Sequence, residues 1–163
     1  MDGLNIRAFD APDADSVWRV LESVIRAGET YALPADMSRE AALAYWCGPT
    51  HRTFVAEVDG RIVGTFYLRP NQQGGGAHVA NCGYITAQDA SGRGIARAMC
   101  EYSMEFARRA GFRAMQFNCV VSSNVRAVRL WESLGFATMC RLPEAFRHPA
   151  LGYVDALVMF RTL

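Results

Sequence analysis

Several features that direct proteins to nucleic acid, membranes or metals are missing from this sequence. The 163 residues carry a formal charge of only +1, and no segment gathers basic side chains into a block that would bind a phosphate backbone. No apolar run approaches the roughly 18 residues that read as a membrane span. The five cysteines are widely spaced and include no C-x-x-C pair, which disfavours a metal site. We therefore expect no nucleic acid, no membrane and no metal among its partners.

The chain also lacks a leader pattern, an internal repeat and a linker. It opens on Met1–Leu4 without a basic segment or an apolar core, which predicts a cytoplasmic protein. An odd number of cysteines among apolar neighbours favours buried, reduced thiols over a disulfide. With 51% hydrophobic and 20% charged residues, the chain can bury one substantial core. The sequence predicts a single domain over residues 1–163.

Hydrophobic periodicity in the first half of the chain predicts a strand, two helices and then a β-hairpin. Leu4–Phe9 alternates as a strand, and Asp10–Asp15 supplies capping carboxylates and a proline before a helix that contains Val17–Ile25. A second, short helix is predicted from a cap at Ser38 through Trp46. The pair Asp59-Gly60 predicts a tight hairpin turn, because these residues tolerate positive φ.

The second half continues the alternation and ends in two strands. The predicted elements are a strand at His78–Thr86, a helix at Gly94–Ala110, a strand at Arg113–Val121, a helix after Asn124, and strands at Ala137–Leu142 and Val154–Phe160 joined by an irregular Pro143–Gly152. The resulting order, β-α-α-β-β-β-α-β-α-β-β, is an α/β layout around a mixed sheet.

The turn Ser91-Gly92-Arg93-Gly94-Ile95-Ala96 carries the clearest chemical signal. It joins a strand to a helix, so unpaired N–H groups and the helix dipole favour an anion there. Gly92 and Gly94 allow close approach, and Arg93 adds positive charge. The Walker lysine and the third Rossmann glycine are missing, which excludes those two phosphate sites. Taken alone, the turn fits a phosphate site and an ordinary glycine-containing turn about equally well.

Read as a motif, this turn resembles the Q/R-x-x-G-x-G/A signature of the GNAT acetyltransferase superfamily, with Ser91 in place of the first glutamine or arginine. Downstream, the segment 124–136 resembles the family's N-x-x-A-x-x-x-Y-x-x-x-G-F helix, with Trp131 at the tyrosine position. The resemblance extends over nearly the whole chain. It implies a mixed, mostly antiparallel sheet of about seven strands with a splay between strands 4 and 5, flanked by four helices. It also implies acetyl-CoA as the cofactor.

The resemblance implies where that cofactor lies. The pyrophosphate would sit on the turn, and the pantetheine arm would lie between the splayed strands. The implied cofactor-binding residues are Tyr84, Ile85, Ala87, Ser91, Gly92, Arg93, Gly94, Ile95, Ala96 and Asn124. The position of Asn124 also fits a helix N-cap, so both interpretations of that residue stay open.

Acetyl transfer to an amine requires a neutral nucleophile, stabilisation of the oxyanion and a proton for the leaving thiolate. Trp131 has no proton to give at neutral pH. Asn81 and Asn118 are amides inside apolar strands, and we predict that they are catalytic, positioning the amine or polarising the carbonyl while water removes the proton. An amide pair satisfied by neighbouring backbone explains them equally well. Neither Cys82 nor Cys119 has a histidine at a recognisable distance, which favours direct transfer.

The acceptor side is expected to come from loops. The candidate substrate-binding residues on predicted loops are Glu29, Tyr31, Glu144 and His148. More closely, segments 117–121, 130–131 and 152–156, together with Asn81 and Asn124, resemble a subgroup that includes the fungal azetidine-2-carboxylate N-acetyltransferases.

These observations predict N-acetylation of a small-molecule amine, for instance an amino acid or a toxic analogue, by direct transfer in a ternary complex. Two alternatives remain open: a protein or peptide N-acetyltransferase, and a non-catalytic acyl-CoA-binding module. The apolar strand Val154–Phe160 is also compatible with a homodimer.

Overall fold

The computed structural model describes residues 3–163, which form a seven-stranded sheet with helices on both faces. The strands are β1 (Leu4–Ala8), β2 (Arg52–Val58), β3 (Arg61–Pro70), β4 (Val79–Thr86), β5 (Ala114–Val121), β6 (Ala137–His148) and β7 (Gly152–Thr162). The helices in this range are α1 (Ala14–Ala27), α2 (Arg39–Trp46), α3 (Ile95–Arg109) and α4 (Val125–Ser133). The strand order is β1-β2-β3-β4-β5-β7-β6, with β4–β5 the parallel pair and antiparallel pairing elsewhere. The predicted fold class is confirmed.

The local signals in the sequence act as expected at three element ends. Asp59 and Gly60 adopt φ angles of 50° and 77° in the β2–β3 turn. The Ser38 hydroxyl accepts the Ala41 N–H at 3.1 Å and caps α2. Gly111, with φ of 88°, follows the end of α3 in the left-handed region that favours glycine.

Hydrophobic clusters lie on both faces of the sheet. On one face, α1 and α2 cover Val55, Tyr67 and Ile85. On the other, α3 and α4 share a cluster that includes Phe117 and Trp131. This division matters for the site, because the gap between β4 and β5 opens toward both faces.

The predicted splay between strands 4 and 5 is present. β4 and β5 pair only at Val79 with Ala114 and Ala80 with Met115. At the next position the Asn81 side chain bridges the strands, donating from Nδ2 to the Gln116 carbonyl at 3.0 Å. Beyond this bridge the two strands no longer hydrogen-bond, so their facing edges are open.

The final hairpin differs from the prediction. Most of the segment expected to be irregular, 143–152, is regular: residues 143–148 continue β6 across a register shift between Leu142 and Phe146, residues 149–151 form the turn, and Gly152 begins β7. At this bulge Glu144 takes a φ of 52° and donates its N–H to Asp155 Oδ1 at 3.0 Å. Pro143 has no N–H and is tolerated because β6 is the sheet edge, where bulges and proline are common.

The cysteines are free, as expected, but only two of the five are buried. Cys82 and Cys100 are buried and Cys47 is half-buried, whereas Cys119 and Cys140 are exposed. The prediction of burial is wrong for the last two, because Cys119 lies beside the open splay and Cys140 lies on the edge strand. No helix within residues 3–163 combines the length and apolarity needed to cross a bilayer.

Candidate active site

A cavity of about 650 Å³ occupies the gap between β4 and β5. One end is bounded by the turn before α3 and the first turn of α4. The other end is bounded by the loop after α1 and by Tyr45, Tyr67 and Arg69. No Asp or Glu of the described chain lines it, so the charged groups in its wall are three arginines: Arg69, Arg97 and Arg126.

The turn before α3 presents a row of free backbone donors. Gly92 and Gly94 have φ angles of 80° and 76°, which side-chain-bearing residues rarely adopt. The first α3 N–H with a helical acceptor is that of Ala98, bonded to the Gly94 carbonyl at 3.0 Å. Within the described chain nothing accepts the N–H groups of residues 92–97. Such a nest at the positive end of a helix suits a phosphate group.

Most of the residues predicted for this turn line the cavity: Ser91, Gly92, Gly94, Ile95 and Ala96. Arg93 is exposed and lies outside the lining, so its role of adding positive charge at the rim stays a prediction. Sequence reasoning missed Arg126, which lines the cavity from α4 and whose Nη2 lies 3.7 Å from where a Cβ on Gly92 would be. Its position inside the recognised helix motif was the available signal.

The backbone of β4 alternates between its two neighbours. Asn71 N–H bonds the Val79 carbonyl and Ala87 N–H bonds the Val63 carbonyl, so the odd-numbered residues 79–87 pair with β3. The even-numbered Cys82 and Tyr84 therefore direct their N–H and C=O groups into the splay. Tyr84 therefore lies on the open edge, and its role in binding the cofactor stays a prediction. Ile85 faces β3, and both backbone groups of Ala87 are already used, since its carbonyl accepts the Ala90 N–H. The expected role of these two as backbone donors to the pantetheine is corrected.

Tyr31 reaches this open edge from the loop after α1. Its hydroxyl donates to the Tyr84 carbonyl at 2.9 Å. Gly83 makes the approach feasible, because a Cβ there would lie 3.1 Å from Tyr31 Oη and 2.7 Å from Tyr67 Cε1. Burial raises the pKa of Tyr31 well above its ordinary value, so the phenol keeps its proton at neutral pH.

Asn81 and Asn118 both line the cavity, but both amides already have partners. Asn81 is 5% exposed; besides its bond to Gln116, its Oδ1 accepts a long hydrogen bond of 3.5 Å from Arg69 Nε. Asn118 donates to Asn71 Oδ1 at 2.7 Å and accepts from Gln116 Nε2 at 2.9 Å. These bonds give each amide a structural role, while a catalytic role for either stays a prediction.

Of the four predicted acceptor-side residues, only Tyr31 lines the cavity. Glu29 is exposed just before it. Glu144 and His148 lie on the edge strand β6, separated from β5 by β7, and the prediction that they occupy a covering loop is wrong. His148 instead accepts the N–H groups of Ala150 and Leu151 through Nδ1 and stabilises the hairpin end.

The groups beside the splay are poor nucleophiles and acids. Trp131 is 8% exposed and packs 5.1 Å from the Tyr84 ring and 5.2 Å from Phe117, measured between centroids. The Tyr84 hydroxyl is tied to Ser103 Oγ at 2.7 Å inside the core. Burial raises the pKa of the Cys82 thiol, and partial desolvation beside the splay raises the pKa of the Cys119 thiol, so both stay protonated at neutral pH. This favours transfer without a covalent acyl-enzyme.

A splayed strand edge leading to an N-terminal helix nest is the architecture of α/β transferases that bind an acyl thioester of coenzyme A. The model of the Acetyltransferase (GNAT) family matches residues 18–136, and the chain belongs to this family. It is accordingly an acetyl-CoA-dependent N-acetyltransferase.

Individual relatives agree with this assignment. A GCN5-related N-acetyltransferase from Kribbella flavida is 42% identical and superposes with a TM-score of 0.94 over 99% of both chains. The curated N-acetyltransferase aca1 of Schizosaccharomyces pombe is 29% identical over 151 residues, covering 82% of this chain and 72% of that protein. A phosphinothricin acetyltransferase from Sinorhizobium meliloti, solved with AcCoA, shares the fold at 19% identity, with a TM-score of 0.86 over 99% of this chain and 89% of that one.

Proposed function

We propose that this enzyme acetylates the amino group of a small molecule by direct transfer in a ternary complex. The observation that carries the proposal is the wall at the acceptor end of the cavity. The loop segment 30–33 lines this end, and the Tyr31 hydroxyl is hydrogen-bonded to β4. A protein substrate usually calls for an open groove at this place. The subgroup resemblance makes an amino acid or an analogue such as azetidine-2-carboxylate the first acceptor class to test.

The residues present fit acetyl-CoA, which supplies an activated acetyl thioester when bound. The free N–H groups of residues 92–97 and the Ser91 hydroxyl are the proposed pyrophosphate ligands, with Arg126 beside them. The open backbone groups of Cys82 and the N–H of Tyr84, whose carbonyl accepts the Tyr31 hydroxyl, are the proposed pantetheine edge. Asn124 caps α4 by accepting the Ala127 N–H at 3.3 Å, and its amide nitrogen is the proposed further contact.

Asn81 and Asn118 remain the proposed groups that position the amine, with deprotonation through water. Asn118→Ala is expected to lower kcat by more than about 10-fold, a typical contribution of positioned polar groups. Asn71→Ala is the matched control, because Asn71 is bonded to Asn118 but lies outside the cavity lining. If both variants lose the same activity, or if Asn118→Ala retains kcat within a few-fold, the amide acts only in packing.

Turnover of acetyl-CoA against a panel of amines, followed by release of free thiol, tests the function itself. Thiol release with small amines and none with peptides is the expected result. Turnover of peptide N-termini or lysine peptides alone would replace the proposal with protein acetylation. Tight binding of CoA by calorimetry with no turnover of any amine would indicate a binding module.

We also propose that residues 1–163 act as one cytoplasmic N-acetyltransferase domain and that a second copy pairs along β6. Met139 and Leu142 are exposed apolar side chains on β6, at 62% and 42% exposure, and the outer edge of this strand is unpaired. Tyr153 on the neighbouring β7 is 66% exposed. Most of the segment expected to support a dimer, 154–160, is instead enclosed between β5 and β6. Light scattering after size exclusion distinguishes a dimer of about 36 kDa, twice the chain mass of 18.0 kDa, from the monomer.

A further inference from the structure

We propose that the acceptor carries a carboxylate, which Arg69 binds through its two terminal nitrogens together with a hydroxyl from the pair Tyr45 and Tyr67. The inference rests on the proposed function, because it names the chemical class of the amine. It assigns to these three residues the role of setting acceptor specificity.

Arg69 is held so that the ends of its guanidinium remain available. It lies half-buried near the end of β3 and lines the acceptor end of the cavity. Its Nε points to Asn81 Oδ1, and its guanidinium carbon lies 5.9 Å from the centroid of the Tyr67 ring. No ion pair in residues 3–163 involves Arg69, whereas Arg7 on β1 engages both Asp13 and Glu57. Nη1 and Nη2 are therefore free to bind a carboxylate side by side, the geometry that suits this group best.

The tyrosines add a directed donor. Tyr67 is 4% exposed, and its ring is fixed by edge contacts to Trp46 at 4.9 Å and His51 at 4.6 Å. Burial raises the pKa of Tyr67 far above its ordinary value, so its hydroxyl stays protonated. The Tyr45 ring meets the Tyr67 ring edge to face, with 6.2 Å between centroids, and both residues line the acceptor end of the cavity. A protonated phenol hydroxyl at this place can donate to a ligand oxygen.

The charge of the cavity selects an anion. Its wall contains no acidic residue from the described chain, and Arg69 is the cation at the acceptor end. A partly buried cation without a counter-ion is costly, and an ammonium ligand entering alone would add to that cost. A ligand that carries a carboxylate offsets both the charge of Arg69 and the charge of its own ammonium group. One guanidinium matches one carboxylate better than a doubly charged phosphate.

The short separation between Arg69 and the splay favours a free amino acid over a larger acid. Asn81 bonds both Arg69 and the Gln116 carbonyl at the point where β4 and β5 separate, so the anchor lies one side chain away from the splay. A carboxylate bound by Arg69 therefore lies near the gap between β4 and β5. This position suits a ligand whose amine is only a few bonds from its carboxylate.

Matched acceptors that differ only in the carboxylate test this anchor. The pairs are L-azetidine-2-carboxylate with azetidine, and L-methionine with 3-(methylthio)propylamine. For the wild-type enzyme we expect kcat/KM to be about 100-fold higher for the acid of a pair it accepts, because removing the carboxylate leaves the buried donors unpaired. Arg69→Gln should raise the KM for the acid by about 30-fold or more and leave the KM for acetyl-CoA within about 2-fold. Arg69→Lys should fall between, since it keeps the charge without the fork.

Arg52→Gln is the matched control, because Arg52 is an exposed arginine on the neighbouring strand β2, and no ion pair of residues 3–163 involves it. Equal turnover of acid and decarboxylated amine, or an unchanged KM for the acid in Arg69→Gln, would overturn the anchor.

A binding measurement separates failure of this anchor from failure of the proposed function. With CoA present, each acid should raise the melting temperature of the wild type and not of Arg69→Gln even if no amine is turned over. The absence of a shift in the wild type would also overturn the anchor.

Discussion

Gly83 on β4 is a sharp test of how the acceptor end is built. In Gly83→Ala the new Cβ would lie 2.7 Å from Tyr67 Cε1, 3.0 Å from Tyr67 Cζ and 3.1 Å from Tyr31 Oη. Such atoms rarely approach a Cβ within 3.4 Å, so the ring or the strand must move by several tenths of an ångström. The ring cannot yield easily, because Trp46 and His51 pack against it. Overpacking of this kind costs about 1 to 3 kcal/mol.

In a chain of this size that cost corresponds to a melting temperature lower by about 3 to 10 °C. The same displacement would move the Tyr31 hydroxyl and the edge of β4, so the KM values for the acceptor and acetyl-CoA should both rise. Thermal unfolding and steady-state kinetics measure the two effects. Gly75→Ala is the control, since its Cβ would meet nothing within 4 Å; it should change stability by less than about 0.5 kcal/mol.

A double-mutant cycle decides whether the Tyr67 ring is the cause. Tyr67→Leu removes the ring atoms that the new Cβ would strike, so the penalty of Gly83→Ala should be smaller in that background by about 1 kcal/mol or more. If Gly83→Ala melts and turns over like the wild type, or if the two penalties simply add, the steric reasoning fails.

Three further predictions concern the cofactor turn, the α4 cap and the acid response. Gly92→Ala forces a side chain into a φ of 80° at a cost of about 1 to 2 kcal/mol, so the KM for acetyl-CoA should rise about 5- to 30-fold; an unchanged value would contradict a role for this turn. Asn124→Ala should lower both stability and acetyl-CoA affinity, whereas Asn124→Ser should restore the cap alone; calorimetry with CoA separates the two roles. The hydrogen bond from Arg7 lowers the pKa of Asp13, so its stabilising contribution is complete above the ordinary pKa near about 4 and is lost as the pH falls through the lower folded value. Asp13→Asn should therefore destabilise at pH 7 more than at about pH 2.5 in urea titrations, and an equal loss at both would refute the assignment.

Local residue chemistry made the turns and caps predictable. Asp59-Gly60, Ser38 and Gly111 each act within a few residues of their own position, so their effect can be deduced without the rest of the chain. The same holds for Gly92 and Gly94, whose left-handed φ angles shape the helix nest. The full length of β6 could not be predicted, because Pro143 indicates a break in the strand. Only the edge position of β6 makes proline and a bulge acceptable there.

The acceptor end required tertiary structure. Arg69 looks like an ordinary alternating residue of β3, and only the packing of α1 and α2 over the sheet encloses it with Tyr45 beside the splay. The partners of Asn118 lie at Gln116 and Asn71, the latter 47 residues away in the sequence, so no local pattern announces that they satisfy its amide.

The sequence by itself therefore determined the element order, the anion-binding turn and the family resemblance, because each follows from short-range backbone preferences and a contiguous motif. Only the tertiary structure decided which edge of β4 is open, because the alternation that directs Tyr84 into the splay and Ala87 toward β3 depends on the pairing register. It also decided which of the cations serve the cavity. Arg93, adjacent to the turn glycines, lies outside it, while Arg69 and Arg126 line it from distant parts of the chain.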